Sequence, residues 1–436
     1  MKIKKNMKQL LLWFTLGLAF LLPMVQTSQV RAEEVYDTPA KAAIAIDPES
    51  GKILYAKNAD QPMGIASTTK LITAYMTLDA IKKGKLSWED KVEMSEYAYA
   101  LTQDPQASNI AVKDPSEAFT IRDLFNAAMI QSANSAAITL AEKIGGSEPK
   151  FVDMMKTQLA YWGINDAKLV NASGLNNSVL GQHIYPGSSE TDENMLSAKD
   201  LAIISQHLIR EFPEVLEVTK QATAVFDKGG ASEQVIATYN YMLPGLPALR
   251  NGVDGLKTGT TEFAGACFVG TTVQNNFRII TVVLNADNAE TDQYARFTAT
   301  GGLMNEIYGN WQAKSIATKG IKMENPDAPT KLTVVDGKQN SVNVLPDNDF
   351  ATVVPMGNTD TTTTLTFDKK QDAPVTAAIQ KNQKLVKVKF QIKDNLGYLP
   401  GSDGNTFYLT ATKSVPRSNA VKIMWNHFVR FVNSKL

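Results

Sequence analysis

The chain of 436 residues has a single cysteine, Cys267, so no internal disulfide can form and stability must come from packing. Cys267 stands inside the apolar run Ala264-Gly265-Ala266-Cys267-Phe268-Val269, where a thiol reads as buried filler rather than a reactive group. Histidine is nearly absent. His183, His207 and His427 are the only three, too few for a convincing metal cluster, and none lies in a recognisable nucleophile elbow. Net charge is zero, but unevenly distributed. Residues 1–32 carry Lys2, Lys4, Lys5, Lys8 and Arg31 with no acid, and residues 413–436 carry Lys413, Arg417, Lys422, Arg430 and Lys435 with no acid. The body between is therefore acidic by ten charges, which argues against general nucleic-acid binding.

What is present suits a globular protein of more than one domain: 44% of the residues are apolar. Residues 1–32 read as an export signal, with a basic start, an apolar stretch from Leu10 to Leu22, and Val30-Arg31-Ala32 offering small residues for cleavage. An uncleaved membrane anchor is the alternative for this segment. An exported chain without disulfides suits a bacterial surface.

Apolar runs at 42–46 and 53–57 flank the turn-rich Asp47-Pro48-Glu49-Ser50-Gly51 and predict a β-hairpin. Helical spacing dominates from Ser87 to Gly163. Ser197 to Ile209 reads as a helix capped by Ser197, with Asp200 in the capping-box position. Gly265–Gly270 and Arg278–Leu284 look like neighbouring strands, and Tyr294–Trp311 like a closing helix. An early hairpin, inserted helices and late strands imply an α/β domain with an all-helical lobe, over 33–315. From 316 to 412 short β-type runs separated by Gly, Asn, Asp and Pro predict a small all-β domain. It has no cluster of acids, histidines or cysteines, so it is expected to bind or space. Placed on a helix, Val421–Leu436 gathers Val421, Met424, Trp425, Phe428 and Val429 in an apolar arc of roughly 160°. That stretch is too short to span a bilayer and fits a helix lying in an anionic membrane surface; docking on its own protein is the alternative.

Three short motifs carry the chemistry. Ser67-Thr68-Thr69-Lys70 precedes an apolar helical run, so Ser67 and Lys70 share one helix face at the positive end of the helix. That spacing suits a hydroxyl nucleophile and a lysine base. Ser132-Ala133-Asn134 lies at a break between helical patterns, and Lys257-Thr258-Gly259-Thr260 directly precedes a strand. Singly each is weak: Ser147-Glu148-Pro149-Lys150 repeats the first spacing and Ser341-Val342-Asn343 the second. Their joint occurrence, in order and within one α/β region, supplies complementary catalytic roles.

This trio resembles the penicillin-recognising serine acyl-transferases, which include penicillin-binding proteins and serine β-lactamases. Gly252-Val253-Asp254-Gly255-Leu256 before Lys257, and Asn171-Ala172-Ser173-Gly174-Leu175 mid-chain, look like the low-molecular-mass D-alanyl-D-alanine carboxypeptidases. The resemblance implies a β-lactamase/penicillin-binding-protein-like catalytic domain (antiparallel sheet, helices and an all-helical lobe), then a small β-sandwich-like domain and a C-terminal amphipathic helix. It implies Ser67 as nucleophile, Lys70 as base and Ser132 as proton carrier. Asn134 would hold the substrate amide, Lys257, Thr258, Gly259 and Thr260 the terminal carboxylate, and the backbone N–H groups of Ser67 and Thr260 the oxyanion. The expected substrate is a peptidoglycan stem peptide ending in D-Ala-D-Ala, with β-lactams as covalent inhibitors and no metal or organic cofactor. The expected location is the outer face of the cytoplasmic membrane. One departure stands out. Some relatives carry an arginine on the strand after Lys-Thr-Gly, but Val283-Leu284-Asn285-Ala286-Asp287 has none and Arg278 is the nearest. A β-lactamase and an inactive wall-binding scaffold are the competing readings. The class A β-lactamases use a glutamate between the second and third motifs for deacylation, which the acidic stretch Glu190-Thr191-Asp192-Glu193-Asn194 does not convincingly supply.

Overall fold

The chain folds around a five-stranded sheet whose middle strand comes late in the sequence. The computed structural model describes residues 36–104, 107–357, 363–402 and 405–433; the export signal expected over 1–32 lies outside them. Strands β1 (Ala40–Ile46) and β2 (Ile53–Lys57) form the expected hairpin, and β3 (Val253–Thr261), β4 (Gly265–Gln274) and β5 (Phe277–Ala286) complete the sheet in the order β2-β1-β5-β4-β3. Every pairing in it is antiparallel. Asn275 and Asn276, both at positive φ, close the two-residue β4–β5 turn, the conformation that a tight hairpin demands and asparagine tolerates.

The longer helices between β2 and β3 are α1 (Lys70–Lys82), α2 (Glu96–Thr102), α3 (Ile121–Met129), α4 (Asn134–Gly145), α5 (Glu148–Tyr161) and α6 (Ala198–Glu211), with a short turn of helix at Val215–Thr219 after them. Helix α1 is apolar around its circumference, with Leu71, Ile72, Ala74, Tyr75, Met76 and Leu78 all buried. A helix of that kind belongs in the middle of a core. Around it Phe119, Phe125, Phe151 and Leu201 pack with Ile280, Val282 and Leu284 of β5 in one continuous cluster. The other sheet face is covered by α7 (Ala295–Asn310), whose Phe297 meets Phe268 of β4 edge to face. Burial on both faces explains why β4 and β5 read as apolar runs rather than alternating strands. Ser197 and Asp200 form the expected capping box at α6.

The all-β domain comprises β6 (Trp311–Ala317), β7 (Lys331–Val335), β8 (Ser341–Pro346), β9 (Phe350–Pro355), β10 (Thr363–Phe367), β11 (Pro374–Thr376), β12 (Lys384–Ile392) and β13 (Thr406–Ala411). Six of them form a sheet ordered β10-β12-β13-β8-β7-β11, while β6 pairs with β9. The junction expected at 315/316 falls inside β6, because this strand follows α7 without a linker and pairs with β9. Lys52, in the β1–β2 turn region, is fully buried against this domain. Its Nζ lies 2.9 Å from Asp394 Oδ1 and donates to the carbonyls of Ile53 and Gly397, both at 2.9 Å. An unpaired buried ammonium would be costly, so this contact ties the two domains together. The last element among the described residues is α8 (Ala420–Asn433).

Candidate active site

The nucleophile motif begins with a tight 3₁₀ turn, Ala66–Thr69, that runs into α1 at Lys70. This corrects the expectation of Ser67 in a regular α-helical first turn. In a 3₁₀ turn residues i and i+3 eclipse, and Lys70 Nζ accordingly stands 3.0 Å from Ser67 Oγ. Ala66 takes φ +45 and Ser132 φ +61. Left-handed conformations cost a residue with a side chain of order 1–3 kcal/mol and cluster at functional sites.

Lys70 is completely buried and has two further partners: Asn134 Oδ1 at 2.7 Å and the Ser173 carbonyl at 2.7 Å. These fix its chemistry. A neutral amine has two N–H bonds and one lone pair; with both N–H groups given to Asn134 and Ser173, the lone pair is left facing the Ser67 hydroxyl. The neutral form is favoured as well. Burial, and then the nearby charge of Lys257, push the Lys70 pKa well below the usual lysine range.

Asn134 opens α4 and donates through Nδ2 to the Ser108 carbonyl at 3.0 Å, which its backbone N–H also reaches at 3.0 Å. That pair holds its Oδ1 toward Lys70. The third motif arrives on β3. A Cβ on Gly259 would sit 2.8 Å from the Ile65 carbonyl and 3.0 Å from the Thr68 nitrogen, so glycine is what lets the strand lie directly against the nucleophile turn. Lys257 is buried and donates to the Thr258 carbonyl at 3.0 Å. Burial, then the positive Arg296, push its pKa down to about 7.

Ser67, Ser132, Thr258, Gly259 and Thr260 line one cleft of about 380 Å³, together with Ser108, Tyr239, Tyr241, Gln293, Arg296 and Phe297. The sequence offered no signal for Arg296. It sits on α7, where its Nη1 donates to the carbonyls of Gly259 (2.8 Å) and Cys267 (3.1 Å) and its Nη2 to Thr260 Oγ1 (2.6 Å). Arg278, the nearest arginine by sequence, is instead spent on a two-pronged pair with Asp254 at 2.7 and 2.8 Å. A helix, not the neighbouring strand, thus brings the guanidinium to the cleft.

The mid-chain Asn171–Leu175 segment is the wall behind Lys70. Gly174, at φ +83, presses on the nucleophile turn so closely that a Cβ would overlap the Ala66 carbonyl. Asn194, in the acidic stretch, braces both pieces: its Nδ2 donates to Thr69 Oγ1 (3.0 Å) and to the Asn171 carbonyl (2.9 Å). Glu193 accepts from Asn176 and Thr261 (2.9 and 2.6 Å) and does not line the cleft. The second Ser-x-x-Lys copy leaves Lys150 exposed at the start of α5, and Ser341-Val342-Asn343 lies on β8 of the other domain. Cys267 is buried, its thiol pushed up to about 11 by desolvation. The three histidines sit elsewhere: His183 stacks on Tyr97, His207 on Trp162, and His427 meets Asp336.

Comparison with known proteins agrees with this geometry. The family model described as D-alanyl-D-alanine carboxypeptidase matches residues 27–288, and that of the penicillin-binding protein 5 C-terminal domain matches 311–417. The D-alanyl-D-alanine carboxypeptidase DacC of Escherichia coli is 29% identical over 386 residues, covering 86% of each chain. Among solved structures, a peptidoglycan synthesis regulatory factor (PBP3) from Streptococcus pneumoniae is 41% identical with a TM-score of 0.78, covering 87% of this chain and 100% of that one. Penicillin-binding protein D2 from Listeria monocytogenes, in its cefotaxime-bound form, is 33% identical with a TM-score of 0.52 over 63% of this chain and 98% of its own. With the nucleophile turn, the Ser-x-Asn corner and the Lys-Thr-Gly strand closing on one cleft, and with the family match running through most of the catalytic domain, the chain belongs to the serine D-alanyl-D-alanine carboxypeptidases.

Proposed function

We propose that this carboxypeptidase trims the terminal D-alanine from peptidoglycan pentapeptide stems through an acyl-enzyme on Ser67. The observation that carries this reading is the Lys70 amine, its two N–H groups engaged and its remaining position 3.0 Å from Ser67 Oγ. Lys70 takes the Ser67 proton as Oγ attacks the carbonyl between the two D-alanines. The backbone N–H groups of Ser67 and Thr260 receive the oxyanion. Lys257, Thr258, Thr260 and Arg296 receive the terminal carboxylate, for which charge-assisted hydrogen bonds are strong. Ser132 relays the proton from Lys70 to the departing nitrogen, the C–N bond breaks, and D-alanine leaves. Water then attacks the Ser67 ester, Lys70 again taking a proton, and the shortened peptide is released with Ser67 restored. A β-lactam is opened by the same attack but leaves an adduct that hydrolyses slowly.

Incubation with a peptide ending in D-Ala-D-Ala is expected to release one free D-alanine per peptide, and a penicillin to leave a persistent adduct at Ser67. Rapid nitrocefin turnover without D-alanine release would instead favour a β-lactamase. The engagement of Glu193 by Asn176 and Thr261 speaks against that alternative.

The enzyme works as an exported protein held peripherally at the outer face of the cytoplasmic membrane. Helix α8 supports this: His427 and Arg430 turn toward Asp336 of the β domain (3.1 and 3.2 Å), while Val421, Met424, Trp425 and Phe428 stay exposed. Its polar side, not its apolar side, meets the protein. No helix among the described residues is long and apolar enough to cross a membrane, so attachment would be interfacial. Deleting residues 413–436 is expected to move the protein from the membrane to the soluble fraction of cells; retention in the membrane fraction defeats the anchor reading.

A further inference from the structure

Of the buried acids that the reaction as described leaves unused, one reaches the loop behind Lys70. Glu148, at the start of α5, is only 4% exposed, and its Oε1 accepts from the backbone N–H of Ala172 at 2.9 Å. Its Oε2 accepts from Tyr97 OH at 3.1 Å. Ala172 is held from its other side too, since Thr73 Oγ1 of α1 donates to its carbonyl at 2.7 Å. The next carbonyl along the chain is that of Ser173, one of the two acceptors that orient Lys70. Two other side chains brace the same loop: Asn171 Oδ1 accepts from the N–H groups of Ser173 (3.3 Å) and Gly174 (2.6 Å), and Asn194 holds Val170 and the Asn171 carbonyl, while Glu148 alone of the three acts on the Ala172 N–H.

We propose that Glu148 is a positioning residue for the reaction: by holding the Ala172 amide it fixes the Ser173 carbonyl that aims the Lys70 amine at Ser67. The inference rests on Lys70 being the base. A carboxylate in this place is costly, which points to a use beyond packing. Burial pushes its pKa up to about 7, against the hydrogen bonds from Ala172 and Tyr97, with Glu142 of α4 adding repulsion. Tyr97 of α2, on which His183 stacks, is the titratable side chain hydrogen-bonded to it. If the role were only to fill space, an apolar side chain would fill it without that penalty. The arm length also matters. An aspartate is one methylene shorter and would fall short of the Ala172 nitrogen, whereas a glutamine keeps an oxygen at the same reach.

The test uses the full-length protein and reads benzylpenicillin acylation of Ser67, kcat and KM for a D-Ala-D-Ala peptide, and thermal stability. Glu148→Asp and Glu148→Ala are expected to lower acylation and kcat about tenfold with KM nearly unchanged, and Glu148→Gln to recover most of that loss. Should Glu148→Ala fail to fold, the Asp and Gln variants decide. Wild-type acylation and kcat in Glu148→Asp overturn the inference. So does a loss that glutamine does not restore and that follows the fall in thermal stability, which would assign Glu148 to folding alone. Lys70→Ala, run beside them, separates the two levels: if it acylates at the wild-type rate, the base assignment itself fails, whatever Glu148 does.

Discussion

Lys70→Ala is expected to slow benzylpenicillin acylation of Ser67 by roughly 10⁴-fold, the upper end of what a positioned general base contributes. The loss should be large because, among the described residues, Lys70 is the one base within hydrogen-bond distance of Ser67 Oγ. Lys70 is the group hydrogen-bonded to Ser67 Oγ, and the lysine across the cleft, Lys257, donates to its own chain at Thr258. Arginine would be no substitute, since it keeps its proton at any working pH. The pH profile supplies a second check. Lys70 must be neutral, so acylation rises as pH passes upward through its lowered pKa. Lys257→Ala removes the cation that helps hold that pKa down, so the acid limb should move to higher pH. A Lys70→Ala variant that retains acylation within tenfold of wild type, or an acid limb unmoved in Lys257→Ala, contradicts the assignment.

Arg296→Ala should lower kcat/KM about 150-fold for a peptide with a free C-terminal carboxylate. One charge-assisted hydrogen bond is worth about 1.5–3 kcal/mol, so about 3 kcal/mol lies at the top of the range for the one donor in view. The guanidinium lines the cleft and gives three of its N–H bonds to Gly259, Cys267 and Thr260, which leaves one Nη2 proton outside those bonds. The loss should fall mainly on KM, and it should nearly vanish for the same peptide capped as a C-terminal amide. Equal losses for both peptides would mean that Arg296 only braces the strand. Its charge also matters to Lys257, whose pKa it helps depress to about 7. Lys257 must stay protonated to hold a carboxylate, so binding weakens as pH rises through that value. Without Arg296 the Lys257 pKa climbs, and the alkaline limb should shift upward.

These variants touch different kinds of residue. Ser67 with Lys70 and Ser132 with Asn134 were legible because each pairing is local, a spacing of three or two along the chain, and Lys257 because it opens the contiguous Lys-Thr-Gly motif. The chain supplied this directly, including the capping box at Ser197 and the strands on either side of Asn275. The local conformation at Ser67 was not legible, because a 3₁₀ turn and an α-helix share the same sequence signature at their first residues. Arg296 and Glu148 carried no signal. The first lies 39 residues beyond Lys257 on a helix covering the opposite sheet face, and the second sat inside what looked like a chance copy of the nucleophile motif.

By itself, then, the sequence determined the chemistry available: one hydroxyl, its lysine, a second serine with an amide, and a strand carrying Lys-Thr-Gly. Only the tertiary structure decided the orientation of that chemistry. The Lys70 amine is held by a backbone carbonyl from residue 173, and the Lys-Thr-Gly strand is met by an arginine from a distant helix. Backbone groups are identical in every residue, and contacts across tens of residues leave no periodic trace, so such features exist only once the chain has packed.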